Sequence, residues 1–333
     1  CRFFHYLYSC VKDSISPNNR AIEILSHLWS IGSPRISLDI SKASLPKCLL
    51  NFLGTGQLIA LRGQWGRHAQ TYQFKYHNPW MFGERRSLTY RAWNSRGNFG
   101  YNNMFSSGYR PETRYGMDVA VGLPHSYELR STHKVKVEDV YISESSTNEA
   151  SDYSIQSYTY SLGYDTRDVV FNPLNGAYYV MSVENGFKLK SNALVFTKYD
   201  ASLSNFYQTF DNQTIATRLV VGKINGNIED TEYYYIGGPN TVRGYVEYPN
   251  SFAYGRAQLL GNVEYRFILS DIFQFLFFVD AGWASSLGTD FTQGKIGKGL
   301  GFRINSPLGP IRIDFGIDEL GDMRTHFNIG HIF

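Results

Sequence analysis

From Leu58 onward one pattern recurs: apolar and polar residues alternate, segment after segment. In Thr71 to His77, Tyr72, Phe74 and Tyr76 oppose Thr71, Gln73 and Lys75. Tyr115, Met117, Val119 and Val121 oppose Arg114 and Asp118, and Ile311, Ile313 and Phe315 oppose Arg312 and Asp314. Successive side chains of a strand point to opposite faces, so each segment reads as a strand with one apolar and one polar face. Fourteen strands are predicted: 57–65, 69–78, 86–97, 113–122, 130–142, 152–165, 176–187, 192–203, 213–224, 256–269, 272–283, 296–305, 310–318 and 325–333. Several reach the ~9–11 residues that a tilted strand needs to cross a bilayer.

The connections between them are unequal. Gly66-Arg67-His68 and Pro307-Leu308-Gly309 are short turns, whereas 98–112, 143–151 and 225–255 are long and polar. Short turns at one end and long loops at the other are the habit of membrane barrels. With 25 Tyr, 23 Phe and 31 Gly at a mean hydropathy of −0.29, the 333-residue chain suits strands that are greasy on one side only. A soluble sandwich has a similar composition; strand length and loop asymmetry favour the barrel. No apolar run approaches the ~18 residues of a spanning helix, the greasiest stretch being Phe273 to Val279. A membrane role must therefore use strands, because only helices and closed barrels satisfy their backbone groups in lipid. Trp65, Trp80, Trp93 and Trp283 fall near predicted strand ends, where an interfacial girdle would lie. The net charge of +3 implies no nucleic-acid partner, and Cys1, Cys10 and Cys48 have no metal-ligand spacing. The chain opens at Cys1 without a leader and reads as a processed chain or a fragment.

Motifs for catalysis are missing. There is no Gly-x-Ser-x-Gly and no His-Glu-x-x-His. Gly294-Lys295 fails as a phosphate loop, which needs Gly at Thr289 and Ser or Thr at Ile296. His326 and His331 are five apart on one strand and so face opposite ways, which disfavours a shared metal. The expectation is a non-enzymatic protein without cofactor or metal. The most specific stretch is Gly237-Gly238-Pro239-Asn240-Thr241-Val242-Arg243-Gly244-Tyr245. Two glycines and a proline make it a turn. Parity supplies partners for its cation: Glu264 and Asp280, on adjacent predicted strands, both point away from the apolar face. A planar guanidinium can take both carboxylates at once, and Gly244 allows close approach of the backbone to the wall.

Taken with Asn262 to Phe267, Phe277 to Gly282, Ser306 to Gly316 and the aromatic C-terminus, this motif resembles the C-terminal barrel of the BamA superfamily, the bacterial surface antigen or outer-membrane assembly-factor family. The resemblance runs from about Asn51 to Phe333. It implies an all-β transmembrane antiparallel barrel of sixteen strands, with a long loop folded inward and tipped by Val242, Arg243, Gly244 and Tyr245. It makes Glu264 and Asp280 the lumen partners of Arg243. It also makes Thr325 to Phe333, with Phe327, Ile329, Gly330 and Phe333, the closing strand and terminal signal. The implied function is insertion of client β-barrel proteins into an outer membrane of the Gram-negative type. A seam between first and last strands would open, and a client strand would pair with the exposed edge. Its partners would be outer-membrane lipid, unfolded client barrels and accessory assembly subunits. The alternatives on the same fold are a two-partner-secretion polypeptide pore and a passive porin or adhesin barrel. Residues 1–50 stand apart as an atypical N-terminal segment, holding either two irregular strands or a region altered relative to the family. Within it Arg35 to Ile40 is the expected seam partner of Thr325 to Phe333.

Overall fold

The computed structural model describes residues 43–49, 56–65, 69–98, 111–143, 150–170, 172–247, 251, 253–270, 272–285, 294–306 and 309–329. These form one antiparallel sheet and a small ribbon. The first ten strands of the sheet are β1 (Ala43–Leu49), β2 (Leu58–Trp65), β3 (Ala69–Asn78), β4 (Ser87–Asn98), β5 (Pro111–Pro124), β6 (Leu129–Ile142), β7 (Ser151–Asp165), β8 (Gly176–Gly186), β9 (Phe196–Phe210) and β10 (Gln213–Gly226). The ribbon follows, β11 (Tyr234–Ile236) with β12 (Ala253–Gly255). The sheet then continues through β13 (Ala257–Ile268), β14 (Phe273–Ser285), β15 (Lys295–Ser306), β16 (Gly309–Ile317) and β17 (Met323–Ile329). Fifteen strands thus pair in chain order, with β1 and β17 as the edges among the described residues. All fourteen predicted strands are present. The fifteenth is β1, which pairs in register with β2 from Ala43↔Trp65 to Leu49↔Ile59. The boundary drawn at Asn51 falls in the connection between these two. Arg35 to Ile40, and any further strand, lie outside the described residues, as do Gly330 and Phe333.

Alternation decides the faces. Asn262 and Glu264 on β13, Asp280 on β14, Arg303 on β15, and Arg312 and Asp314 on β16 are buried on the inner side. Val263, Phe277, Val279, Ile296, Phe302 and Phe327 stand exposed on the other. Phe277 and Val279 remain 51% accessible, as an apolar band facing lipid would. Asp280 points away from the apolar face, as its parity predicts, and is fully buried beneath the loop tip. Trp93 departs from the girdle expectation: it lies inside β4, faces inward and donates its indole N–H to Glu138 Oε1 at 2.9 Å.

The two ends of the sheet carry loops of different length, but not quite as the sequence suggested. The hairpins β5–β6, β9–β10, β13–β14 and β15–β16 turn tightly at one end, and the connection after β10 (227–256) extends from the other. The short 66–68 connection sits at the long-loop end, and the ten-residue 166–175 connection at the short-turn end. The loop 227–256 lies against the inner face. Its Glu232 touches Arg114 on β5, and its Gly244 touches His326 on β17. Ten sheet positions separate β5 from β17, which on a flat sheet is ~48 Å. Twelve residues spaced at ~3.3–3.6 Å each, even fully extended, would reach only ~40–43 Å. This backbone is not extended, because the chain turns back on itself within the span, Gly238 N–H bonding the Val242 carbonyl at 3.1 Å. The sheet therefore curls around its loop.

Candidate functional site: the loop tip and its wall

The tip is a self-bonded turn. Gly237 N–H donates to Thr241 Oγ1 at 2.8 Å, and Gly238 N–H to the Val242 carbonyl at 3.1 Å. Gly237 and Gly238 both have positive φ, at 138° and 101°, a conformation closed to most side chains. The turn throws Arg243 toward β13 and β14, where it is fully buried. Its Nε donates to Asp280 Oδ2 at 2.7 Å and its Nη2 to Asp280 Oδ1 at 2.8 Å. Its own backbone N–H adds a third bond to Asp280 Oδ2 at 3.1 Å. Nη1 donates to Glu264 Oε1 at 2.7 Å and stands 3.6 Å from Asp314 Oδ1. The guanidinium lies over the Phe278 ring, 3.6 Å from its centroid. One cation thus holds the loop to β13 and β14 and reaches toward β16. Burial alone would lower its pKa; Asp280 first, then Glu264, outweigh that, so the pKa is raised and the group stays charged.

Around this fork the wall supplies more than the two expected carboxylates. Arg266 donates to Glu264 Oε2 at 2.8 Å, and Arg303 to Asp314 Oδ1 at 2.6 Å. Asn262 Nδ2 bridges Asp280 Oδ1 and the Thr241 carbonyl, both at 2.8 Å. Arg312 Nη2 donates to the Pro239 carbonyl at 2.6 Å. The last strand takes part as well: Gly244 N–H donates to His326 Nε2 at 3.0 Å, and Asn328 Nδ2 to Asn240 Oδ1 at 3.2 Å. Tyr245 Oη reaches the Ile296 carbonyl at 3.3 Å and accepts from the Glu319 N–H at 3.2 Å. Val242 packs with Ile236, Val220 and Leu260.

The wall is cut back to admit the tip. A Cβ at Gly297 would overlap the Arg243 carbonyl oxygen, and one at Gly316 would overlap the Gly244 backbone. Close approach of two backbones, not flexibility, is what glycine provides here. Of the expected site residues, the structure brings together Val242, Arg243, Gly244, Tyr245, Glu264 and Asp280. Phe327, on β17, points out of the cluster and is exposed. Asn262, Arg266, Phe278, Arg303, Arg312, Asp314 and His326 join the site without having been singled out as partners of the arginine. Their inward parity was readable from the sequence; their convergence on one loop was not.

Comparison with known proteins gives the family and the fold. Residues 51–333 match the Omp85 superfamily domain. The chain belongs to the Omp85 superfamily. Among curated proteins it is similar to outer envelope protein 80, chloroplastic, of Oryza sativa subsp. japonica, at 23% identity over 84% of this chain and 46% of that protein. It is also similar to outer envelope protein 39, chloroplastic, of Arabidopsis thaliana, at 27% identity over 47% of this chain and 45% of that protein. The Omp85 chain thus spans about half the length of the curated relatives it matches. In fold it resembles BamA from Haemophilus ducreyi lacking POTRA domains 1-3, with a TM-score of 0.70 at 14% identity, covering 86% of this chain and 65% of that one. CdiB from Escherichia coli follows, with a TM-score of 0.62 at 13% identity over 86% and 58%. The fold is therefore a transmembrane antiparallel β-barrel of the BamA type, and the Omp85 chain is an outer-membrane protein.

Proposed function

We propose that this Omp85 chain is a non-enzymatic assembly factor that inserts client β-barrel proteins by opening a seam between its edge strands. The observation that supports this reading is the docked tip. A polypeptide path through the lumen requires the loop to leave, and removing one partner of a buried ion pair costs ~3–5 kcal/mol. A path at the edge leaves Arg243 in place. Among the described residues β1 and β17 are the edge strands, and β1 suits opening because it contains Pro46, which donates no ladder bond. Each ladder bond contributes only ~0.5–1.5 kcal/mol net. Clients would be unfolded barrel chains that pair with the exposed edge, with accessory subunits and outer-membrane lipid as further partners. The membrane would be a Gram-negative outer membrane or its plastid counterpart, the envelope for which the plant relatives are named. The second reading, a two-partner-secretion pore, draws support from the charged inner wall, where Lys136 stands 3.4 Å from Glu184 and 3.8 Å from Glu138. A passive porin leaves the docked loop without a purpose.

A cross-link separates these readings. With the three native cysteines replaced, one cysteine is placed at Asn328 and a second is scanned over 43–49. A bond that blocks client insertion, reversed by reduction, supports the seam. A bond that forms and leaves insertion intact rules the seam out and favours the lumen path. If no position bonds, β1 is not the partner of β17.

A further inference from the structure

The first limb of the loop is held as firmly as its tip, at a different place and with the charges reversed. Thr231 and Glu232, in the 3-10 turn Asp230–Glu232, lie over β5, β6 and β7. Glu232 Oε1 sits 2.7 Å from Arg114 Nη1 and accepts from Tyr153 Oη at 2.9 Å. Thr231 Oγ1 is 2.7 Å from the same Tyr153 Oη and is buried. Arg114 is held on its own wall by Glu112, by Tyr153 Oη at 3.1 Å and by Glu138 at 3.6 Å. Apolar packing backs the contact: Ile228, Tyr233 and Tyr234 join Val140, Ile142, Tyr153, Ile155, Leu194 and Phe196. Tyr234 Oη donates to Asp200 Oδ1 at 2.7 Å on β9. Burial would raise the pKa of the Glu232 carboxyl; Arg114 first and Lys136 next pull it below the ordinary value, as expected of an ionised loop anion in a cationic socket.

We propose that Thr231 and Glu232, with Arg114 and Tyr153, form a second dock that makes loop 227–256 a two-ended tie across the inner wall. The tip dock presents a loop cation to wall carboxylates; the limb dock presents a loop carboxylate to a wall arginine. The two docks use opposite charges on the loop: Glu232 faces Arg114 at one end, and Arg243 faces Asp280 and Glu264 at the other. The tie runs from β5–β7 to β13–β17. Glu232 acts as a positioning residue: it holds the limb so that the turn 237–241 delivers Arg243 to Asp280. This proposal rests on the docked loop and not on the assembly reading.

The test uses the purified barrel in lipid bilayers, after replacement of the three native cysteines, with one cysteine at Thr231. The readout is its rate of labelling by a membrane-impermeant maleimide. The buried position should label slowly, and Glu232→Gln and Arg114→Gln should each speed labelling. Combined, these two should be no faster than the quicker one alone, because they remove the same bond. Adding Arg243→Gln at the distant end should speed Thr231 labelling about two-fold or more beyond the product of the single effects, the coupling expected of groups in one network. Labelling unchanged by Glu232→Gln, or no coupling between Glu232 and Arg243, would overturn the tie. Should Arg114→Gln not fold, Glu232→Gln and its combination with Arg243→Gln carry the test alone.

Discussion

The two ends of the loop solve one problem by opposite means. At the tip a single arginine enters a wall of carboxylates; at the limb a single carboxylate meets an arginine already furnished with wall carboxylates. The tip is dry, with Arg243 and Asp280 fully buried, glycines cut back beneath the backbone and an aromatic ring under the guanidinium. At the limb Arg114 keeps some contact with solvent, and an apolar cluster supplies much of the packing. The tip is thus an electrostatic lock whose members cannot be removed singly without stranding a buried charge. The limb is a hydrophobic seat with a polar guide. Position in the sheet follows the same division: the lock reaches β17, an edge among the described residues, and the seat lies on the inner strands β5–β9.

Variants should separate the two by the size of their effects. The largest loss is expected for Arg243→Ala, ~3–5 kcal/mol, because the buried Asp280 loses both bonds of the guanidinium fork and Glu264 loses a third. Arg256→Ala, whose guanidinium bonds the Tyr233 hydroxyl and the Gly226 carbonyl, should cost only ~0.5–1.5 kcal/mol. Urea titration of the heat-modifiable folded band on gels gives both, and equal losses would erase the contrast. Next comes steric access to the lock. Gly316→Ala forces a Cβ onto the Gly244 backbone and should cost ~1–3 kcal/mol. Gly261→Ala, on the outer face with nothing within 4 Å of its new Cβ, should stay within ~0.5 kcal/mol of the parent. Both alanines behaving alike would mean that the tip does not sit against the wall. Glu232→Gln should have a smaller effect than Arg243→Ala, ~1–3 kcal/mol, because the apolar seat remains. A Glu232→Gln loss larger than that of Arg243→Ala would invert the assignment of lock and seat.

Much of this was legible in the sequence because strand parity is a strict rule. Alternation put Glu264 and Asp280 on the face away from the apolar side chains, and the resemblance implied that the loop carrying Arg243 meets them there. Arg312 and Asp314 had the same parity, but a sequence does not say that a loop from β10 reaches as far as β16 and β17. Nor was the limb visible: Thr231 and Glu232 lie in irregular backbone, where no period assigns a face. β1 is hard to read from sequence because Ala43–Leu49 contains Pro46, which demotes a strand but is tolerated on an edge strand, as β1 is among the described residues. β9, predicted to end at 203, runs to Phe210. Its second half carries Asn205 on the outer face and Phe206 on the inner, the reverse of the usual distribution, so alternation failed as a guide there.

The central claim, that Arg243 fixes the loop by a fork to Asp280, is tested most directly by a double-mutant cycle on that pair. Urea unfolding in lipid is measured for the parent, Arg243→Ala, Asp280→Asn and the double variant. If the fork is the lock, the double variant is hardly less stable than the worse single one, and the coupling reaches ~2 kcal/mol or more, toward the upper part of the range for contacting residues. Losses that add to within ~0.5 kcal/mol, the behaviour of independent sites, would contradict it.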